Sequence, residues 1–286
     1  MTTIIKIMVF VLTVVVSTVS AQDFQGVATY KTQRAFEVKM DSTQVNSEMQ
    51  EKMMAMMKKQ FQKTFNLTFN KEESVYKEEE SLDKPQVGGG GFQVTVVGNG
   101  GGADVLYKNT KNGNYADKKD TMGKIFLIKD NLEKIEWKLE GETKYIGEYP
   151  CFKATYTKLV EKTRVSFESN SNTEANKSDE PEEPEMEERT VTAWYTPQIP
   201  VNNGPSKYQG LPGLILEVHD GKLNIMCSKI VLNPKDKVEI EAPTKGKEVT
   251  QKKYNEIMEK KAKEMMERYA PRNGRKGEGI EIRIGG

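Results

Sequence analysis

The chain has 286 residues, with 43 basic and 42 acidic side chains and a formal net charge of +1. This balance gives no reason to expect a nucleic acid or an anionic membrane surface as a partner. The length suffices for one large domain with its own core, and a single histidine excludes the multi-histidine sites by which proteins usually bind zinc.

The first 21 residues have the pattern of a secretory signal peptide. Lys6 supplies the positive charge, residues 7–16 form a short apolar run, and Val19-Ser20-Ala21 fits the small-residue cleavage pattern. The run is too short to span a bilayer and no later segment is apolar enough, so no transmembrane span is expected. We therefore expect a mature chain of residues 22–286 that is periplasmic or secreted.

The N-terminal half is expected to combine strands with one helix. Residues 24–40 alternate between apolar and polar side chains, which indicates one or two strands, and residues 65–69 alternate strictly. Between them, residues 47–64 are predicted to form an amphipathic helix with Ser47 as its N-cap. Residues 85–103 are rich in glycine and are expected to be a flexible insert.

The C-terminal half is expected to continue the sheet and to end in a second helix. Residues 170–188 consist largely of Asn, Ser, Glu and Pro and are expected to be a second flexible insert. Residues 249–269 have the apolar spacing of a helix. Strands are predicted at residues 105–109, 124–129, 135–139, 151–159 and 190–196, followed by a hairpin of residues 214–219 and 222–232.

Short strands at meander-like spacing, together with two helices, indicate one α+β domain over residues 22–286 with a single antiparallel β-sheet. The sheet is expected to be curved or half-barrel-like. Its two main helices would pack on or beside it, because that arrangement hides an apolar sheet face.

The most informative stretch reads Gly210-Leu211-Pro212-Gly213-Leu214-Ile215-Leu216. Its glycines and proline indicate a tight turn with backbone conformations that a Cβ would disfavour. With Trp194-Tyr195 upstream, the run resembles the GLPGLI family of Bacteroidetes envelope proteins, whose biochemical role is poorly defined. The resemblance implies an envelope location and a partner role beside outer-membrane transport systems, and it supplies no catalytic residues.

The segment of residues 194–216 is the best candidate for a binding site. It could present rigid aromatic side chains to an apolar ligand, a peptide or an envelope protein. Alternatively, one of two adjacent aromatic residues buries inward while the glycines and prolines only set turns. The candidate residues are Trp194, Tyr195, Tyr208, Gly210, Leu211, Pro212 and Gly213.

Methionines crowd the first predicted helix and permit a second hypothesis, soft-metal binding, because thioethers suit Cu(I). The alternative is core packing, since four of the five form the apolar stripe of an amphipathic helix. A third possibility is an adaptable groove for apolar ligands. The five residues are Met49, Met53, Met54, Met56 and Met57.

Little other chemistry is indicated. Cys151 and Cys227 could form one disulfide in an oxidising compartment or remain buried thiols. His219 is expected to be solvated at a hairpin end, and no Gly-x-Ser-x-Gly motif is present. The sequence thus favours a non-enzymatic, exported binding or accessory protein with no predicted cofactor. A copper binder and a hydrolase with carboxylate chemistry are the alternatives.

Overall fold

The computed structural model describes residues 24–34, 62–79, 104–121, 123–161, 186–236 and 238–269, apart from the side chains of residues 161 and 265–269. These ranges contain twelve β-strands and one α-helix. In chain order they are β1 (Gln25–Arg34), β2 (Gln62–Asn70), β3 (Glu73–Glu78), β4 (Val105–Asn109), β5 (Asn114–Thr121), β6 (Lys124–Asn131), β7 (Lys138–Ile146), β8 (Tyr149–Glu161), β9 (Met186–Thr196), β10 (Leu214–Asp220), β11 (Leu223–Leu232), β12 (Lys247–Val249) and α1 (Gln251–Tyr269).

All twelve strands belong to one sheet, in the order β12-β6-β5-β4-β3-β2-β1-β11-β10-β9-β8-β7. Strand β1 pairs with β2 on one side and with β11 on the other, so it joins two antiparallel meanders. Only β12 pairs in parallel, with β6, which makes the sheet mixed. The sheet is open, with β7 and β12 at its edges, and is not closed into a barrel.

The expected α+β domain with two main helices is wrong, because the described residues are nearly all β and contain one helix. The second predicted helix is present as α1. The first was expected to reach Thr64, but residues 62–64 belong to β2 and pair with residues 31–33 of β1. Strand pairing there outweighs the local helical spacing. Residues 47–61 lie outside the described residues.

Other predictions also fall outside the described ranges. These include the signal peptide at 1–21, the glycine-rich insert at 85–103 and most of the insert at 170–188, whose last residues instead begin β9. Within the described ranges, no helix combines the length and the apolar character that a membrane span requires.

The hydrophobic core lies between one side of the sheet and the segment that joins β9 to β10. We call this side the inner face; its buried side chains include Tyr30, Leu67 and Val218. The connecting segment, residues 197–213, is named the inner loop, and it adds Ile199 to the same cluster. One strand-to-strand connection therefore fills the space that a second sheet or a helix fills in other β proteins.

Helix α1 lies beside β6 at one end of the sheet. The amide of Gln251 donates to Asp130 Oδ2 at 3.0 Å, which satisfies one of the unpaired N–H groups at the start of the helix. Tyr254 packs edge-on against Phe126 with the ring centroids 5.5 Å apart.

Candidate functional site

The inner loop is mostly buried. Tyr208 is 9% exposed and Leu211 is 1% exposed, and Gly213 is buried as well, whereas Gly210 and Pro212 reach the surface. Among the candidate residues within this loop, the aromatic and aliphatic side chains thus contribute to the core and offer little surface to a ligand.

The two aromatic residues before the loop lie in β9 and point to opposite sides of the sheet. Tyr195 is 6% exposed and belongs to the core cluster. Trp194 is half-buried on the other side, which we call the outer face. Of the predicted binding residues, Trp194 is therefore the large side chain that the structure leaves partly accessible.

Gly213 is required where the inner loop turns into β10. A Cβ at this position would lie 2.6 Å from the carbonyl carbon of Thr196 and closer still to its carbonyl oxygen. The main-chain amide of Leu214 then donates to the carbonyl of Ile199 at 2.9 Å, which ties the two ends of the turn together. Close backbone approach, rather than a positive φ, explains this glycine.

A buried lysine on the inner face holds the middle of the inner loop by two hydrogen bonds. Lys108, on the inner face of β4, is completely buried. Its Nζ donates to the carbonyl oxygen of Gly204 at 2.7 Å and to that of Tyr208 at 3.2 Å. The two carbonyls would otherwise be acceptors that the core cannot satisfy, so the amine compensates for burying this part of the backbone.

A buried carboxylate fixes the loop from the side. Asp220 Oδ2 accepts hydrogen bonds from Tyr208 Oη and from Lys158 Nζ, both at 2.6 Å. Arg189 lies further off, with its NH1 3.9 Å from Oδ1. Burial acts to raise the pKa of Asp220, but the hydrogen bonds from Lys158 and Tyr208 outweigh it and hold the pKa below its usual value.

A third anchor comes from the stretch before β7. Trp137 Nε1 donates to the carbonyl oxygen of Gln209 at 2.8 Å, and the Trp137 ring meets Tyr156 edge-on with centroids 4.8 Å apart. The inner loop is therefore held at several points along its length, which suits a rigid packing element.

A cluster on the outer face, which we call the outer patch, gathers polar and apolar side chains from four strands. Lys144 Nζ lies 4.3 Å from the centroid of the Trp194 ring and donates to Glu217 Oε2 at 2.7 Å. Met226 is directly opposite Glu217 in the neighbouring strand and is 50% exposed. The outer patch consists of Lys144, Trp194, Glu217, His219 and Met226.

Both ring nitrogens of His219 contact neighbouring side chains. Its Nε2 contacts Glu217 Oε1 and its Nδ1 contacts Asn224 Oδ1, while the side chain stays 44% exposed. A general base needs a free ring nitrogen, and both are engaged here. The carboxylate of Glu217 is likewise occupied by Lys144 and His219. This arrangement suits a binding surface better than acid–base chemistry.

The two cysteines are free, buried thiols. Burial raises the pKa of Cys151 to about 11 and that of Cys227 to about 12. A thiol is nucleophilic as its thiolate, which is scarce at neutral pH when the pKa is this high. Neither side chain therefore has the character of a catalytic cysteine.

The five methionines proposed as copper ligands lie outside the described residues, so the structure does not place them. Among the residues that it does describe, no group of three or more His, Cys, Asp or Glu side chains could hold a metal ion.

Sequence reasoning missed Lys108, Asp220, Lys144 and Glu217 as structurally decisive residues. A signal for Lys108 was available, because it shares one side of a predicted strand with Leu106, two positions earlier. Glu217 sits within an apolar strand, which likewise signals a buried charge. Nothing local distinguishes Lys144 from the other charged residues of β7.

Residues 137–217 match the model of a family described as "Protein of unknown function (Porph_ging)". The match covers β7, β8, β9, the inner loop and the first four residues of β10. It is a Bacteroidetes-type family, which confirms the expected resemblance at that level but does not bear on the GLPGLI family name.

Two of the solved structures that are similar to the chain are crystal forms of one protein. The structure of PNGF-II in space group C2 shares 17% identity with a TM-score of 0.46, over 83% of this chain and 33% of that protein. The structure of PNGF-II in space group P21 shares 16% identity with a TM-score of 0.46, over 82% of this chain and 33% of that protein. No curated protein sequence matches the chain.

Proposed function

We propose that the chain is an exported, non-enzymatic binding protein of the bacterial cell envelope that contacts another envelope protein through its outer patch. The observation that carries the proposal is the exposed Met226, in one row on the outer face with Trp194, which packs against the core and is only partly accessible. The register aligns Trp194 with Glu217, and Glu217 with Met226, across β9, β10 and β11.

The composition and the shape of the patch favour a protein or peptide partner. Small-molecule sites are concave and enclose the ligand, whereas Met226 and His219 of the outer patch are 50% and 44% exposed. Tryptophan and methionine are enriched at protein interfaces, usually within a polar rim. Lys153 pairs with Trp194 and the exposed Lys31 pairs with Met226, so charged residues lie at both ends of the row. Glu217, between the two apolar side chains, is neutralised by Lys144.

Met226→Lys tests the patch without removing a buried group. We expect the variant to fold normally and to lose at least about tenfold of its cross-linking to one envelope protein in intact cells, since a buried unpaired charge weakens an interface by more than about 1.4 kcal/mol. The readout is quantitative mass spectrometry of cross-linked products.

Ile125→Lys is the matched control, because Ile125 lies on β6 and is 46% exposed, close to the exposure of Met226. It should keep the cross-linked partner. Identical cross-linking by the wild type and both variants would contradict the proposed surface. So would an apolar small molecule that co-purifies equally with all three, because the ligand would then bind elsewhere.

Export is a separate part of the proposal, and it depends on the N-terminal sequence alone. We expect cleavage after Ala21, so that Gln22 begins the mature protein. N-terminal sequencing of protein from the envelope fraction measures this directly. Recovery of a chain that still begins at Met1 would contradict export by this route, and it would leave the outer patch to be judged by its own experiment.

A further inference from the structure

Lys108 is buried without a counter-charge. The described residues provide no acidic side chain that pairs with it, and its Nζ contacts only the carbonyls of Gly204 and Tyr208. These carbonyls flank a tight turn, residues 204–208, which we call the catch turn. Within it the amide of Tyr208 donates to the Pro205 carbonyl at 3.1 Å, and Ser206 adopts a φ of 51°.

The surroundings of the amine contain polar groups but little charge. The register sets Ser74 of β3 and Tyr115 of β5 directly beside Lys108. Tyr76 and the buried Asp117 pair with Leu106, which lies two residues before Lys108 in β4. From the loop, Tyr208 is hydrogen-bonded to Asp220, and Lys207 extends to the surface, where its Nζ donates to Tyr115 Oη at 3.0 Å.

The hydrogen-bond count favours the neutral amine. A neutral amine has two N–H donors, and two loop carbonyls accept them. A protonated amine has three donors and a full charge, and burial without a counter-charge disfavours that form. Burial accordingly lowers the pKa of Lys108 to about 7.

We propose that Lys108 is a proton-controlled catch, which holds the catch turn against the inner face when the amine is neutral and releases the turn when the amine is protonated. Release would hydrate the amine and the space beneath the turn. Ser74, which pairs with Lys108 in the sheet, and Tyr76, two residues further along β3, have buried hydroxyls with no hydrogen-bond partner, so water that entered with the amine could also satisfy them. The strained φ of Ser206 would relax as well.

The direction of the effect follows from linkage. In the open form the amine is solvated and has its ordinary pKa of about 10.4. The closed form therefore binds fewer protons between pH 7 and 10, and it is favoured as the pH rises. Between pH 10 and pH 7 the equilibrium constant for opening the turn should increase about tenfold for each unit that the pH falls. Below the pKa of Lys108 in the closed form it should not increase further.

Hydrogen exchange of the full chain measures this constant. The amides of Gly204 and Tyr208 report on the catch turn, and dividing each rate by its intrinsic rate at the same pH gives the opening constant. We expect it to rise about 50-fold from pH 9 to pH 7 in the wild type, because half of the closed-state amines are already protonated at pH 7. In Lys108→Met it should be independent of pH, whatever its absolute value.

Lys207→Met is the matched control, because it removes a lysine from the same turn but leaves the buried amine in place. It should keep the pH dependence of the wild type. A wild-type opening constant that does not change with pH would overturn the proposal, as would a pH response that persists in Lys108→Met. If that variant does not fold, NMR titration of the Lys108 amine in the wild type decides: titration near 7 supports the catch, and titration near 10 overturns it.

Discussion

Replacing Gly213 by alanine is expected to lower the free energy of unfolding by about 3 kcal/mol or more, because overpacking against a rigid neighbour is costly. The new Cβ would meet the carbonyl carbon of Thr196 at 2.6 Å and would approach its oxygen more closely. Both are main-chain atoms, so no side-chain rotation relieves the clash. Since Thr196 pairs with Leu214, relief requires the start of β10 to shift relative to β9.

Gly141→Ala is the control for this prediction. Gly141 lies in β7 with a φ outside the positive range, and a Cβ there would find no heavy atom within 4 Å. We expect its free energy of unfolding to change by about 0.5 kcal/mol or less. The measurement is the denaturant midpoint of both variants against the wild type. Equal midpoints for the two variants would show that the turn into β10 tolerates a side chain.

Strands with clear alternation were predictable from the sequence. The predicted hairpin of residues 214–219 and 222–232 is present as β10 and β11, but Asp220 pairs with Leu223, so the two-residue turn is Gly221-Lys222; Gly221 has the positive φ, 59°, that such a turn requires. Strand β5 and most of β7 were missed, because their polar residues carry no alternating apolar signal. They form strands because neighbouring strands supply hydrogen-bond partners, and sequence periodicity does not record that cause.

The candidate site was predictable in part. The sequence identified the inner loop as unusual, but composition could not show that the loop turns into the sheet and becomes its core. That outcome depends on contacts between residues far apart in the chain, such as Lys108 with Gly204 and Tyr208 with Asp220. Trp194 was identified as a candidate, whereas its partner Lys144 is recognisable only once β7 is known to lie beside β8.

Asp220→Asn is expected to cost about 2–3 kcal/mol of the free energy of unfolding at neutral pH, because it weakens two charge-assisted hydrogen bonds in a buried place. The amide keeps the shape of the carboxylate, so the loss reports on charge rather than on a cavity. Tyr208 Oη and Lys158 Nζ, each 2.6 Å from Asp220 Oδ2, are the groups affected. The inner loop should also exchange its amide protons faster than in the wild type.

The free energy of unfolding of Asp220→Asn should also fall less in acid than that of the wild type. The pKa of Asp220 is lower in the folded chain than in the unfolded chain, so its contribution is complete above the unfolded value of about 3.9 and is lost as the pH falls through the folded value. The difference in free energy of unfolding between wild type and variant should therefore narrow below about pH 4.

Glu142→Gln is the control, because Glu142 is 63% exposed in its pair with Lys153 and should contribute about 0.5 kcal/mol or less at any pH. A difference for Asp220→Asn that is as small as this control, or one that does not change in acid, would show that the carboxylate does not hold the inner loop.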